Sequence, residues 1–313
     1  MEVMHKNSSS YQTKFILVGF TFKPKIQFFI LIILSIVYSL SLLGNLAIIV
    51  AIWLNQPLHT AMYYFLCSLA FLDILYISAT VPKLLTILAS NDRIISLPGC
   101  IFQIYFYSSF GSTEFYLLAV MSLDRYAAIC QPLRYHSIIS SKTCLWLITL
   151  SWTTGFVTFL YPIILVSDFS FCGPFEINHF FCDGSAVAEI SCSDIQLFNL
   201  LLSSFASAVI LGSLTMTMVS YCNILFTILN ISSADGRKKA FSTCTSHFTV
   251  VSLVYGSAIF IYVRPAESSS PNLNKWVALL NSVMTPLLNP FIYTLRNKQV
   301  QKVLKDTMYR KKS

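Results

Sequence analysis

Long runs without a charged side chain alternate along the chain with short polar stretches. Ile26 to Leu54, Thr143 to Ser167, Ile195 to Ala234, Ala240 to Val263 and Trp276 to Leu295 carry no Asp, Glu, Lys or Arg. Each reaches the roughly 20 residues that a helix needs to cross a bilayer. Two further runs have the length but contain one acid each, Thr60 to Pro82 with Asp73 and Ile94 to Leu123 with Glu114. An ion near the membrane centre is costly, so these two helices belong inside a bundle and their acids are functional candidates. Barrel strands would alternate polar and apolar positions over about ten residues, whereas these runs are apolar all round. The pattern predicts an all-α membrane protein. Seven transmembrane helices form a bundle over residues 26–295, residues 1–25 precede it outside the membrane, and residues 296–313 form a tail with a short amphipathic helix.

Composition agrees with that solvent: 11% of residues are charged, against about 25% in an ordinary soluble domain. Charge then sets orientation. One face of the predicted bundle holds Arg125, Arg134, Lys142, Arg237, Lys238, Lys239, Arg296, Lys298, Lys302, Lys305, Arg310, Lys311 and Lys312 against Asp124, Asp235 and Asp306. On the other face eight basic and eight acidic residues cancel. Basic residues near membrane ends stay in the cytosol, which predicts a multi-pass protein of the cell membrane with its N-terminus outside and its C-terminus in the cytoplasm. The net charge of +8 therefore reports topology and gives no reason to invoke nucleic acid. Residues 1–25 lack a short apolar core before a small-residue cleavage site, so the first span is expected to act as its own insertion signal. Asn7-Ser8-Ser9 is a glycan acceptor on the predicted outside, whereas Asn230-Ile231-Ser232 has the pattern on the wrong side.

Cys67, Cys130, Cys144, Cys222 and Cys244 fall in helices or at their cytosolic ends, where a small buried apolar residue is the simplest reading. Cys100, Cys172, Cys182 and Cys192 lie at the predicted outer end, where an even number implies bridges, with three connectivities open. His179 and Cys182 have the spacing of an H-x-x-C metal motif, but a bridged sulfur offers no thiolate to a metal.

Six motifs occur in order on these spans: "LHTAMYYFL" at 58–66, "MSLDRYAAICQPLRY" at 121–135, "HFFCD" at 179–183, "SYCNIL" at 220–225, "KAFSTCTSHFTVV" at 239–251 and "PLLNPFIYTLRN" at 286–297. From Gly44-Asn45 to the tail the chain resembles vertebrate olfactory receptors of the tetrapod type, class II, within the rhodopsin-like G-protein-coupled receptors. It departs from the family at Ala61, where Pro is usual, and at Ser122-Leu123, where Ala-Tyr is usual.

The resemblance implies bridges Cys100 to Cys182 and Cys172 to Cys192. It implies that Arg125 is held by Asp124 at rest and helps to form a cytosolic cavity for a heterotrimeric G protein of the stimulatory, olfactory type on activation. Tyr221 and Tyr293 resemble tyrosines that swing into that cavity, and His247 takes a conformational role. Pro290, with Pro286 one turn earlier, permits a kink where a packed helix can have two arrangements. Arg237, Lys238 and Lys239 would face either the G protein or anionic membrane lipid. Two carboxylates that approach each other share a proton or bind an ion. For Asp73 and Glu114 the resemblance points to a sodium ion in the resting state, with oxygens from neighbours such as Asn289, and to no other cofactor.

Eighteen residues make five helical turns, so Tyr107 shares a face with Arg125 about 27 Å nearer the outside, with Gly111 and Glu114 close to that line. Val251, Tyr255, Ala258 and Tyr262 form one stripe on the sixth span. Alignment to the family adds Ser108, Ser112, Phe205, Val209, Ile259, Leu279 and Ser282. These residues are apolar with a few hydroxyls, the lining expected for a small volatile organic ligand with one polar group. Tyr107 stands where amine receptors place an acid, the seventh span has no lysine beyond its edge residue Lys275, and no charged pocket for an anionic ligand is expected. A transporter would show internal repeats or broken helix pairs, and an enzyme would show a nucleophile with its base. Neither is visible. The same fold serving as a receptor for a metabolite outside the nose remains the alternative function.

Overall fold

The computed structural model describes residues 14–20, 22–262 and 271–296. Asn7 and the tail beyond residue 296, with its expected amphipathic helix, lie outside the described residues. Helix α1 spans Pro24–Leu54, α2 Ala61–Ser90, α3 Leu97–Cys130, the single turn α4 Tyr135–Ile138, α5 Ser141–Thr158 and α6 Leu160–Ser167. After the loop come the short α7 (Gly184–Glu189), then α8 (Gln196–Leu229), α9 (Ala234–Tyr262) and α10 (Pro271–Arg296). Among the described residues, α1, α2, α5 continued by α6, and α8 are long and apolar enough to cross a membrane. Helix α3 is the hub, packing on α2, α5, α8 and α9, while α10 packs on α1, α2 and α9.

Prolines mark where these helices bend, break or are braced. Pro162 has no N–H for the Thr158 carbonyl four residues earlier, and α5 stops at Thr158 before α6 resumes at Leu160. Pro290 likewise leaves the Pro286 carbonyl without its helical donor, yet α10 continues through both prolines. Asn45 of α1 supplies the missing bond, its Nδ2 donating to Pro286 O at 2.9 Å. Gly44 permits that approach, because a Cβ there would sit 3.0 Å from Pro290 Cβ.

Several element boundaries differ from the sequence expectation. Pro82 lies inside α2, which runs on to Ser90, and α3 begins at Leu97 and continues past Asp124-Arg125 to Cys130. The pair stays helical because each charge meets its partner within the helix.

The chain is mostly helical as expected, with one small sheet that the sequence pattern did not predict. Three short strands, β1 (Lys14–Leu17), β2 (Ile94–Ser96) and β3 (Glu176–Ile177), form a sheet in the order β2-β1-β3, antiparallel to β2 and parallel to β3. Alternation explains it: Phe15 and Leu17 are fully buried while Lys14 and Ile16 face out. The inward pair packs on Cys100, Cys182, Ile104 and Phe198. These side chains are too few for a helix face but suit a strand whose backbone is satisfied by neighbours, as in Ile16 N–H to Phe175 O at 2.8 Å and Val18 N–H to Ile177 O at 2.9 Å. Gly19 ends the strand at φ +62°, a conformation that side chains resist.

Helices α3 and α5 approach closely at Gly155, where a Cβ would meet Thr113 Oγ1 at 2.2 Å and Ser109 O at 3.1 Å. Gly155→Ala is expected to destabilise the bundle by roughly 1–3 kcal/mol, whereas Gly212→Ala meets nothing within 4 Å. Thermal melting of the detergent-solubilised protein should fall for the first variant and hold for the second.

Candidate functional site

The roof of the bundle is built from the loop between α6 and α8. Two disulfides, Cys100–Cys182 and Cys172–Cys192, hold it, the same pairs that the resemblance implies. Gln103, one turn along α3 from Cys100, adds a polar tie: its amide donates to Ala79 O at 2.7 Å and accepts from Cys182 N–H at 2.9 Å. Cys182 thus has a covalent and a hydrogen-bonded link to α3, and it offers a metal no thiolate. The neighbouring ring of Phe181, 1% exposed, packs on Tyr107 with centroids 4.6 Å apart.

Beneath the roof, Tyr107 stacks on Tyr76 of α2 at 5.2 Å. Tyr107 is half-buried and packs against two apolar clusters. One contains Phe115, Val209, Val251, Tyr255 and Ala258, and the other contains Phe181, Leu279 and Val283. Phe115 and Tyr255 face each other at 5.2 Å. Ser112 and Ser282 are buried, but their hydroxyls donate to carbonyls of their own helices, Ser108 O and Leu279 O. Ser108, Gly111 and Phe205 are half-buried. Ile259 requires a correction. It is 40% exposed and lies on the outward stripe of α9 with Phe248, Ser252 and Gly256, because one residue of helix turns about 100° away from inward Ala258. The side chain of Tyr262 lies outside the described residues.

Two carboxylates sit in the middle of the bundle. Asp73 is 1% exposed and accepts from Asn289 Nδ2 at 2.9 Å. Glu114 is 3% exposed, and among the described residues its Oε1 has no hydrogen-bond partner. The oxygens Asn289 Oδ1 and Asn45 Oδ1 also lack partners. Carboxylate and amide oxygens are the donors a hard cation takes, so this set fits sodium.

At the end opposite the disulfides, Arg125 Nε donates to Asp124 Oδ2 at 3.1 Å, and its NH2 group donates to the same oxygen. Tyr135 of α4 donates to the other carboxylate oxygen at 2.7 Å. Burial, followed by the Asp124 carboxylate, pushes the Tyr135 phenol up. Tyr221 lies elsewhere, its OH 2.6 Å from His247 Nδ1 with the two rings stacked. The structure therefore couples α8 to α9 through Tyr221 and His247, and α3 to α4 through Asp124 and Tyr135. Buried Pro290 is against Gly44, and the Tyr293 side chain lies outside the described residues. Ser122 is fully buried and donates to Ala119 O at 2.6 Å within its own helix. Nothing in the structure explains Leu123.

A family model described as olfactory receptor matches residues 34–311. The chain belongs to the olfactory receptor family. It is 45% identical to human olfactory receptor 6T1 over 97% of this chain and 94% of that one. It is 46% identical to human olfactory receptor 6J1, covering 97% and 88%, and 48% identical to mouse olfactory receptor 6E1, covering 96% of both. Members of this family are receptors rather than enzymes, and the apolar helices make this one a multi-pass membrane protein.

Reading the receptor's sequence missed Tyr76, Gln103, Phe115, Phe181 and Tyr135. Gln103 and Phe115 flank Tyr107 at i−4 and i+8, so the helical spacing that located Tyr107 could have found both. Phe181 and Tyr135 lie within the quoted motifs HFFCD and MSLDRYAAICQPLRY, but their partners Tyr107 and Asp124 are set by tertiary packing, and Tyr76 lies in none of the motifs.

His179 in the roof is stacked on Phe180 at 4.7 Å and accepts a long 3.5 Å hydrogen bond from Phe181 N–H. Burial, with the Lys275 ammonium adding to it and the Asp183 carboxylate opposing it, lowers its pKa from 6.5 to about 4. The unfolded chain then binds the proton more readily, so stability is full above pH 6.5 and falls as pH drops toward 4, by roughly 3 kcal/mol. The difference in melting temperature between pH 7 and pH 5 should shrink in His179→Gln relative to wild type. Equal slopes in the two proteins would contradict this account.

Proposed function

We propose that this protein is an odorant receptor of seven transmembrane helices that binds a small, mostly apolar volatile molecule inside the bundle. It then activates a stimulatory, olfactory-type G protein and raises cyclic AMP. The observation that carries the reading is the Asp124–Arg125 pair, buried at one end of α3, with Tyr107 five turns away on the same helix under the roof. Family membership supports it. Olfactory receptors as a family answer small odorants, and G proteins are their general partners.

In this reading residues 26–295 form the receptor domain, with the disulfide-bonded end outside the cell and the basic end in the cytosol. The glycan acceptor Asn7 is extracellular, and the tail from residue 296 lies against the inner membrane surface. The ligand contacts Tyr107, Ser108, Gly111, Ser112, Phe205, Val209, Tyr255, Ala258, Tyr262, Leu279 and Ser282, with Phe115 and Phe181 added. Ligand binding moves α9 away from α8, separating His247 from Tyr221, and releases Arg125 from Asp124. The Tyr221–His247 bond joins α8 to α9 and the Tyr135–Asp124 bond joins α4 to α3, contacts that a rigid shift can part, which supports a two-state element, while Arg125 leaves its neighbour on α3 by a side-chain rotation. Pro290 and Tyr293 take part in the same movement on α10. In the resting state Asp73, Glu114 and Asn289 hold a sodium ion.

Arg125→Ala is expected to abolish odorant-evoked cyclic AMP in reporter cells while ligand binding persists. Full signalling in that variant at equal surface level would overturn the switch. Glu114→Gln should erase the stabilisation of the resting receptor by sodium over potassium, measured as melting temperature. A wild-type receptor indifferent to sodium would refute the ion site alone.

A further inference from the structure

Lys275 lies one turn inside the start of α10 and is 3% exposed. Its ammonium donates to two neutral oxygens, Gly19 O at 3.0 Å and Asn178 Oδ1 at 2.6 Å. A lysine has three N–H donors, and the described residues engage two of them. The ion pairs among the described residues are Lys83 with Asp92 and Arg125 with Asp124, so no described carboxylate closes on Lys275. Asp183 lies in the same neighbourhood and acts on His179. Its Oδ1 is occupied in capping α7, accepting from Ser185 N–H at 3.1 Å, from Ala186 N–H at 3.3 Å and from the Ser185 hydroxyl. His179 is neutral at pH 7. Among the described residues the roof therefore encloses a positive charge with no carboxylate bonded to it, an arrangement that an anionic ligand group would relieve.

The position of this charge suits a ligand. Leu279 and Ser282 follow Lys275 at i+4 and i+7 on the same buried face of α10, about 6 and 10 Å deeper. The surfaces around Leu279 are apolar: Val81, Leu84, Phe180, Phe181 and Val283. A cation at the mouth above a hydrocarbon lining is complementary to an amphiphile with an anionic head.

We infer that Lys275 recognises the carboxylate of the ligand, and that this receptor favours aliphatic or aryl-aliphatic carboxylic acids over their neutral analogues. The head bonds to the Lys275 ammonium, and the tail runs down α10 past Leu279 toward Tyr107. This inference rests on the odorant-receptor reading and names its ligand class. It also reverses the expectation of a pocket without charge, which treated Lys275 as an edge residue.

The test uses the full-length, surface-tagged receptor in cells with a cyclic-AMP reporter at pH 7.4. The probes are a homologous series of aliphatic carboxylic acids, each paired with the methyl ester and the primary alcohol of equal chain length. Acids should act at concentrations about ten-fold lower than their esters, the ratio that one charge-assisted hydrogen bond supports. Lys275→Met should raise the half-maximal concentration for acids about ten-fold and leave that for esters and alcohols unchanged. Lys275→Arg should keep the preference for acids. So should Asn178→Ala, which loosens the roof and leaves the charge. Esters or alcohols acting as well as acids in the wild type would overturn the inference while leaving the odorant reading intact, and this comparison decides even if Lys275→Met fails to reach the surface. An equal loss for acids and esters in Lys275→Met would show that Lys275 only ties Gly19 and Asn178 to α10. Silence of the surface-expressed wild type toward all three series and toward a broad volatile panel would overturn the odorant reading and this inference with it.

Discussion

The Pro286 carbonyl is the point on which the bundle's arrangement turns. Hydrocarbon offers no water to a backbone oxygen that a proline has left without its donor. Pro290 creates that need, and Asn45 meets it across the α1–α10 interface, with Gly44 letting the two helices come close enough. The same rule of internal satisfaction accounts for other long-range ties. Gln103 reaches a carbonyl of α2 near Pro82, and Trp152 of α5 donates to Ser68 of α2 at 2.9 Å. Each tie joins helices whose apolar surfaces alone would allow many registers, because lipid tails are as apolar as the side chains that face them. Polar bonds thus select one packing among many that lipid would tolerate.

Where that satisfaction is incomplete, the structure has room to act. Glu114 Oε1, Asn289 Oδ1 and Asn45 Oδ1 are buried and lack hydrogen-bond partners among the described residues. They belong to three different helices. Unmet groups between helices carry a cost that ligand, ion or movement can relieve, whereas the Asp124–Arg125–Tyr135 set at the far end is closed on itself. A receptor needs both: a closed set that holds the resting state and an open set that can be biased.

The long helices and their order were legible because apolar runs of bilayer length leave little choice, and motif order supplied the disulfide pairing and the Asp124–Arg125 pair. The β1 strand was not legible. Lys14 to Leu17 is only four residues long, and its partners lie in segments 80 and 160 residues away. Element ends were similarly hidden, since Pro82, Asp124 and Arg125 look like helix terminators until the groups that satisfy them are known. On α9 the buried stripe of Val251, Tyr255 and Ala258 followed from spacing, while Ile259 failed because alignment to a family does not carry the local rotation of a helix. Lys275 was visible as a residue but its burial was not, because the atoms that cover it come from Gly19 and Asn178.

The sheet gives the outer face an order of assembly in time. β1 is made before the described helices, yet its parallel partner Glu176–Ile177 leaves the ribosome about 160 residues later, which at about 5–20 residues per second is roughly 10–30 s. During that interval Phe15 and Leu17 lack their β3 neighbour, and Gly19 waits longer still for Lys275, which is made about 100 residues after Ile177. A strand made ahead of the described helices is thus among the last of the described elements to be fixed, and maturation of the outer face depends on how long the cell leaves that strand waiting.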